Sequence, residues 1–328
     1  MTTPTMRALW VNAPDAPFEQ KQTPLPNPGA GEVLVRIQAS GVNPLDLKIR
    51  AGAAAHAQHP LPAILGMDLA GTVEKVGPGV SGFEPGDEVW AMAGGVAGVQ
   101  GSMAEFAAVD ARLLAHKPAN LSMRQAAALP LAVITAWEGM VDIAAVQPGE
   151  KVLVIGAGGG VGHVAVQLAR ARGADVYGVD SARSADYLRS IGVTPIARDT
   201  PVDAYVREWT NNQGFDAVYD CVGALDAAFN AVHVHGRVTS SLGWGSYSLA
   251  PLSFRSARYA GVFTLRPLIT GEGRDAHGRI LREAAKLAEA GQLTPRMDEQ
   301  RFTLDQAEAA HERVRGGGAT GKVVIEVE

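Results

Sequence analysis

The sequence predicts a two-domain α/β protein, in which a β-rich domain precedes a doubly wound parallel-sheet domain. Through about residue 125, short β-like runs alternate with turn signals, whereas from Lys151 to about Leu265 strands alternate with helices. The chain is 328 residues long, more than the roughly 250–300 that a single core organises.

Arg7–Val11, Glu32–Ala39, Ala70–Val76 and Glu88–Met92 are the β-like runs of the first part. Pro24, Pro26, Pro28-Gly29, Gly77-Pro78-Gly79 and Pro85-Gly86-Asp87 punctuate them, which suggests a barrel-like domain. Ser122–Leu129 and Leu131–Ile143 are predicted helices. Beyond Lys151, strands are predicted at Lys151–Ile155, Val176–Val179, Ala217–Cys221, Gly236–Ser241 and Ala260–Leu265. The tail adds helices at Ala276–Ala290 and Leu304–Val314 and a strand at Lys322–Val327, so it is expected to pack back on the first domain. The expected domains are thus 1–127 with 267–328, and 128–266, with the substrate cleft between them.

Residues 151–180 carry the most specific pattern. An apolar β-branched run, Lys151–Ile155, leads into Gly156–Gly162, whose glycines let the backbone approach a pyrophosphate without Cβ clashes. Val161, Val164, Ala165, Leu168 and Ala169 follow at helical spacing, and Gly173 ends the helix. Asp180 then falls roughly 20 residues beyond the glycines, where a carboxylate meets the adenosine ribose. Strand, turn, helix, strand and acid in this order predict a dinucleotide site, with Gly158, Gly159, Gly160, Val161, Gly162 and Asp180 as cofactor contacts.

Bulk properties exclude other classes. A hydrophobic content of 47% supports sizeable cores, and a net charge of −5 without a dense Lys/Arg run provides no field for nucleic acid or an anionic membrane. The start Met1-Thr2-Thr3-Pro4-Thr5 lacks a basic region followed by an apolar stretch, and no uninterrupted segment reaches a spanning length. The expectation is a soluble cytoplasmic protein without nucleic-acid or membrane partners. A single cysteine, Cys221, excludes an intrachain disulfide and a cysteine-based zinc cluster, and it reads as a core residue.

Gly41-Val-Asn-Pro-Leu-Asp-Leu-Lys-Ile-Arg-Ala-Gly52, Leu65-Gly-Met-Asp-Leu-Ala-Gly-Thr-Val-Glu-Lys-Val-Gly77, Pro85-Gly-Asp-Glu-Val89, Thr135-Ala-Trp137 and Gly158-Gly-Gly-Val-Gly162 are found in order. Together they resemble the zinc-independent medium-chain dehydrogenase/reductases, nearest the quinone oxidoreductases (zeta-crystallin-like enzymes) and enone reductases. The resemblance runs nearly end to end. It implies a GroES-like catalytic domain, a Rossmann domain and a homodimer joined through the edge of the Rossmann sheet, around Ser240–Leu265. An unpaired sheet edge gives that dimer a physical motive.

Metal-ligand positions are where the chain departs from the zinc alcohol dehydrogenases. Asn43 stands where they place a cysteine, and Gly66-Met67-Asp68 where they have Gly-His-Glu. A catalytic zinc needs three protein ligands, so no metal is expected. His233 and His235 alternate on a predicted strand without a third ligand, and His56 and His59 read as loop residues or substrate contacts.

Without a metal to hold an alkoxide, acceptors that delocalise their own charge are favoured, namely quinones and α,β-unsaturated carbonyls. Asn43 and Lys48 are the candidate catalytic donors, with Asn43 also a cofactor contact. Their structural alternatives are a turn residue before Pro44 and a solvated lysine. Asp46 and Arg50 read as an internal ion pair or solvated charges. Asn-Pro-x-Asp-x-Lys resembles enone reductases and points to C=C reduction. The resemblance also places Thr135 beside the nicotinamide and Phe263, Leu265 and Lys322 near the cofactor, each alternatively a packing residue. Val222, Gly223, Leu242 and Gly243 end two strands whose carboxyl ends line the ligand crevice.

The expected cofactor is NAD(P)H. Asp180 favours NADH, because a 2′-phosphate there meets like charge, whereas the resemblance favours NADPH and Arg183 is the cation to bind its phosphate. The expected activity is hydride transfer to a small-molecule quinone or enone. The alternatives are an enoyl-thioester reductase, for which no basic cluster is evident, and a non-catalytic nucleotide-binding structural protein.

Overall fold

Period-two burial builds the first sheet. In Glu32–Val42 the side chains of Val33, Val35, Ile37 and Ala39 are buried in succession. The computed structural model describes residues 4–327, so Met1-Thr2-Thr3 of the start read above lie outside the described residues. The chain divides into two units: one runs up to Leu131 and adds Leu265–Gly291 and the chain from Pro295; the other is Ala132–Thr264 with Gln292–Thr294. Among the described residues no helix is long and apolar enough to cross a membrane.

The first unit is the β-rich, GroES-like one. Its larger sheet runs in the order Phe302–Thr303, Val323–Glu326, Glu32–Val42, Asp68–Val76, Glu88–Met92, Ala115–His116, with Phe106–Asp110 also paired to Glu32–Val42. Glu19–Pro24, Thr5–Val11 and Ala63–Ile64 form a smaller sheet. Glu19–Pro24 is polar from Glu19 to Thr23, and hairpin pairing with Thr5–Val11 rather than hydrophobic pattern makes it a strand.

The second unit is a Rossmann domain. Its parallel strands run Thr194–Ala197, Asp175–Asp180, Lys151–Ile155, Phe215–Asp220, Val232–Ser240, Arg258–Gly261. Chain order reverses between Lys151–Ile155 and Phe215–Asp220, and at such a switch point the carboxyl ends open a ligand crevice. Leu153, Phe215, Val218, Phe229 and Val238 form part of the core beneath it.

Three predicted elements need correction. The last strand of this sheet spans Arg258–Gly261, not Ala260–Leu265; Leu265 instead precedes helix Arg266–Thr270, whose Pro267 has no N–H for a ladder and suits a first helical turn. The helix expected over Leu131–Ile143 is α-helical only over Pro130–Trp137 and continues as a π-turn over Glu138–Ile143. Gly139 lies in that turn, and a Cβ there would sit 2.8 Å from the Tyr219 ring. His233 and His235 do not share an extended face, because His235 has φ +63°.

Candidate nucleotide and active site

In the second unit the glycine turn joins Lys151–Ile155 to helix Gly162–Ala171. A Cβ on Gly162 would lie 2.0 Å from the Gly156 carbonyl oxygen, so the turn closes only around glycine. Gly159 and Gly160 are exposed at the amino end of the helix, where N–H groups lack intrahelical acceptors and favour anionic oxygen. The residues of this turn fit a pyrophosphate, and hence a dinucleotide.

Asp180 ends the neighbouring strand and is buried. Its carboxylate accepts the Gly158 N–H at 2.6 Å and its neighbour Ser181 N–H at 2.6 Å, so it braces the turn from beneath. Arg198 also donates to it, at 3.3 Å. Arg183 is exposed on a short 3-10 turn and is not joined to Asp180. Arg198 escaped the sequence reading because only parallel pairing of Asp180 with Ala197 brings it alongside.

A second carboxylate, Asp220, organises the far side of the switch point. It is fully buried and accepts N–H bonds from Val222 (3.1 Å), Gly223 (3.1 Å) and Ala224 (2.9 Å), and the Ser240 hydroxyl at 2.8 Å. Ser240 Oγ in turn accepts the Leu242 N–H at 3.0 Å. Asp220 therefore shapes the loops that carry Val222, Gly223, Leu242 and Gly243. The sequence signal was an acid directly before Cys-Val-Gly. Val222, Trp244 and Phe263, exposed at the ends of three successive strands, supply apolar surface; the rings of Trp244 and Phe263 meet edge to face at 6.1 Å. Cys221 is half-buried, and burial followed by the Asp220 charge pushes its thiol up, which disfavours the thiolate.

Thr135 is buried in the same unit. The Thr264 hydroxyl donates to Glu138 Oε2 at 2.7 Å and lies 3.2 Å from Thr135 Oγ1, while Tyr219 donates to the Thr135 carbonyl at 3.0 Å. Burial raises Glu138, opposed by the Thr264 bond.

The first unit holds a buried cluster of polar and charged side chains. Antiparallel register sets Gly41 opposite Asp68 and Val42 opposite Val323, so Asn43, Asp68 and Lys322 converge. Asn43 Nδ2 donates to Asp68 at 2.9 Å, and the Lys322 ammonium donates to Asn43 Oδ1 and, at 3.4 Å, to the Val42 carbonyl. Asp68 also accepts the Leu131 N–H at 2.8 Å, and Asp46 reaches back to the Asn43 N–H at 2.8 Å. All four side chains are buried. Burial pushes Asp46 up to about 7, with Asp68 adding to the rise, and pushes Asp68 up to about 6 against the pull of Lys322; burial lowers Lys322 itself.

Thus Asn43 and Lys322 come together, but as partners of each other. Lys48 is exposed on helix Pro44–Arg50, and Leu265 is buried. Asp46 and Arg50 do not pair: the Arg50 guanidinium bonds Glu308 at 2.9 Å and the Ala16 carbonyl. His59 accepts the Gly98 N–H at 3.1 Å beside Ile49 and Pro60, and His56 is exposed. Among the described residues no group of three or more His, Cys, Asp or Glu side chains is arranged to hold a metal.

Two family models match the chain: alcohol dehydrogenase GroES-like domain over residues 29–119 and zinc-binding dehydrogenase over residues 191–325. The chain is 33% identical over 307 residues to the chloroplastic NADPH-dependent alkenal/one oxidoreductase of Arabidopsis thaliana, covering 90% of this chain and 72% of that protein. It is 30% identical over 321 residues to a chloroplastic quinone-oxidoreductase of Triphysaria versicolor, covering 95% and 94%. A crystal structure of an alcohol dehydrogenase superfamily protein from Novosphingobium aromaticivorans shares 53% identity and superposes with a TM-score of 0.97, covering 99% of this chain and 100% of that one. With the glycine turn, Asp180 and both sheets in place, the chain belongs to the medium-chain dehydrogenase/reductase superfamily, on its quinone and enone reductase branch.

Proposed function

We propose that this protein is an NAD(P)H-dependent reductase of α,β-unsaturated carbonyl compounds and quinones that works without a catalytic metal. The observation that carries the reading is the Asn43 network. At the positions where zinc-dependent relatives hold their metal ligands, this chain has a carboxamide committed to Asp68 and Lys322 and the buried thioether of Met67. Charge developing on an acceptor oxygen is then left to protein donors and to the acceptor's own conjugation.

The nicotinamide, when bound, supplies the hydride. The chain's residues bind and orient: the turn Gly158–Gly162 takes the pyrophosphate, Asp180 a ribose hydroxyl, and the loops braced by Asp220 border the nicotinamide end. Lys48, exposed and cationic, is the proposed donor to the acceptor oxygen, and the buried network fixes the start of its helix through Asn43. Val222, Trp244 and Phe263 favour an apolar acceptor over a highly charged one. Asp180 supports use of NADH, and the likeness to an NADPH-dependent relative supports NADPH.

The test is product analysis with a cofactor deuterated at the transferable position of the nicotinamide and a linear enone. Deuterium at the β-carbon of a saturated ketone is expected; an allylic alcohol as the product refutes C=C reduction.

We also propose a homodimer. Among the described residues strand Arg258–Gly261 ends the Rossmann sheet with an unpaired edge, and Tyr259 on it and Phe254 before it are exposed. Sedimentation velocity at micromolar concentration should give a dimer that Tyr259→Lys together with Phe254→Asp converts to monomer; a monomeric wild type removes this proposal.

A further inference from the structure

We propose that Arg198 is the residue that admits a 2′-phosphate to the adenosine-ribose end of the nucleotide site, so that the protein uses NADPH as well as NADH. This inference rests on the nucleotide-site reading above and deepens it.

Asp180 taken alone selects against NADPH. Its carboxylate ends the second strand of the βαβ unit, where it meets the ribose hydroxyls, and a 2′-phosphate placed there would set two anions together. The structure adds a cation at that point. Ala197 pairs in register with Asp180, and the Arg198 N–H donates to the Asp180 carbonyl at 2.9 Å. Backbone pairing therefore fixes the Arg198 Cα beside Asp180, whatever its side chain does.

The side chain then reaches the carboxylate, 3.3 Å from Asp180 Oδ1, with 70% of its surface still exposed. A guanidinium carries five donors in a planar fork, and one N–H is engaged here. The rest face solvent and can take phosphate oxygens in the bidentate manner that arginine favours. Asp180 itself is restrained by the Gly158 and Ser181 N–H groups, so it need not move for Arg198 to turn towards an anion.

Arg183 is the competing cation. It is exposed on the 3-10 turn Ala182–Ser184, but neither backbone pairing nor a side-chain contact holds it to Asp180.

The experiment is calorimetric titration of the full-length protein with 5′-AMP and with 2′,5′-ADP, for wild type, Arg198→Gln and Arg183→Gln. Wild type is expected to bind both probes. Arg198→Gln should weaken 2′,5′-ADP at least about tenfold while 5′-AMP stays within about twofold, a change of about 1.4 kcal/mol confined to the phosphate. An unchanged ratio in Arg198→Gln, or the loss appearing in Arg183→Gln instead, overturns the assignment. A wild type that binds 5′-AMP but not 2′,5′-ADP also overturns it while leaving the nucleotide site intact. Failure to bind either probe refutes the nucleotide-site reading itself, and Arg198 falls with it.

Discussion

Replacing Asp220 by alanine is expected to destabilise the Rossmann unit by about 3–5 kcal/mol and to abolish nucleotide binding at millimolar 5′-AMP. The substitution removes the acceptor of three backbone N–H groups and the Ser240 hydroxyl at once. Each buried donor left without a partner costs roughly 1–3 kcal/mol, and water entering the space recovers part of the sum. For a unit of this size the unfolding midpoint should fall by roughly 6–20 °C. Asp220→Asn keeps one acceptor oxygen and turns an amide towards donors on the other side, so its loss should be intermediate. A midpoint for Asp220→Ala within about 2 °C of wild type would show that the loops after Phe215–Asp220 and Val232–Ser240 hold themselves.

Lys322→Met should be of similar size, about 3–5 kcal/mol, because it strands the buried Asp46 and Asp68 without their cation. The sign of the pH dependence follows from burial. Asp46 is pushed up to about 7 in the folded protein, against about 4 when unfolded. Between those values the folded state holds a proton that the unfolded state lacks, so this group's contribution to stability falls as pH rises from about 4 through 7. Asp68, pushed up to about 6, acts in the same direction. Lys322→Met raises both carboxyls further, so its cost should be larger at pH 8 than at pH 5. Asp46→Asn keeps an acceptor for the Asn43 N–H and removes one titration. Relative to wild type it should therefore gain stability as pH rises through 7, which denaturant unfolding at pH 5 and pH 8 reads directly. A pH-independent cost for Lys322→Met would mean that the cluster is solvated.

What was legible in the sequence is what is local in the chain. The glycine turn, its flanking strand and helix and Asp180 all lie within thirty residues, and their backbone geometry is dictated there. Pairing between distant strands was not legible. Asn43, Asp68 and Lys322 meet only because Glu32–Val42 lies between Asp68–Val76 and Val323–Glu326 in one particular register. Arg198 depends in the same way on a four-residue strand, Thr194–Ala197, too short and proline-containing to stand out. Asp220 lies within a predicted strand, but its role required the return of Ser240 to its side. The misplaced strand at Ala260–Leu265 has another origin: its apolar run reads equally well as strand or buried loop, and Pro267 settles it.

Hydride transfer to a conjugated acceptor without a metal is tested by the initial rate of NADH and NADPH oxidation by protein dialysed against chelator, with a linear enone, a quinone, a saturated ketone and no acceptor in parallel. Acceptor-dependent oxidation is expected with the enone or the quinone at the rate of undialysed protein, and none with the saturated ketone. A rate that vanishes on chelation and returns with zinc, or turnover of the saturated ketone alone, would contradict it.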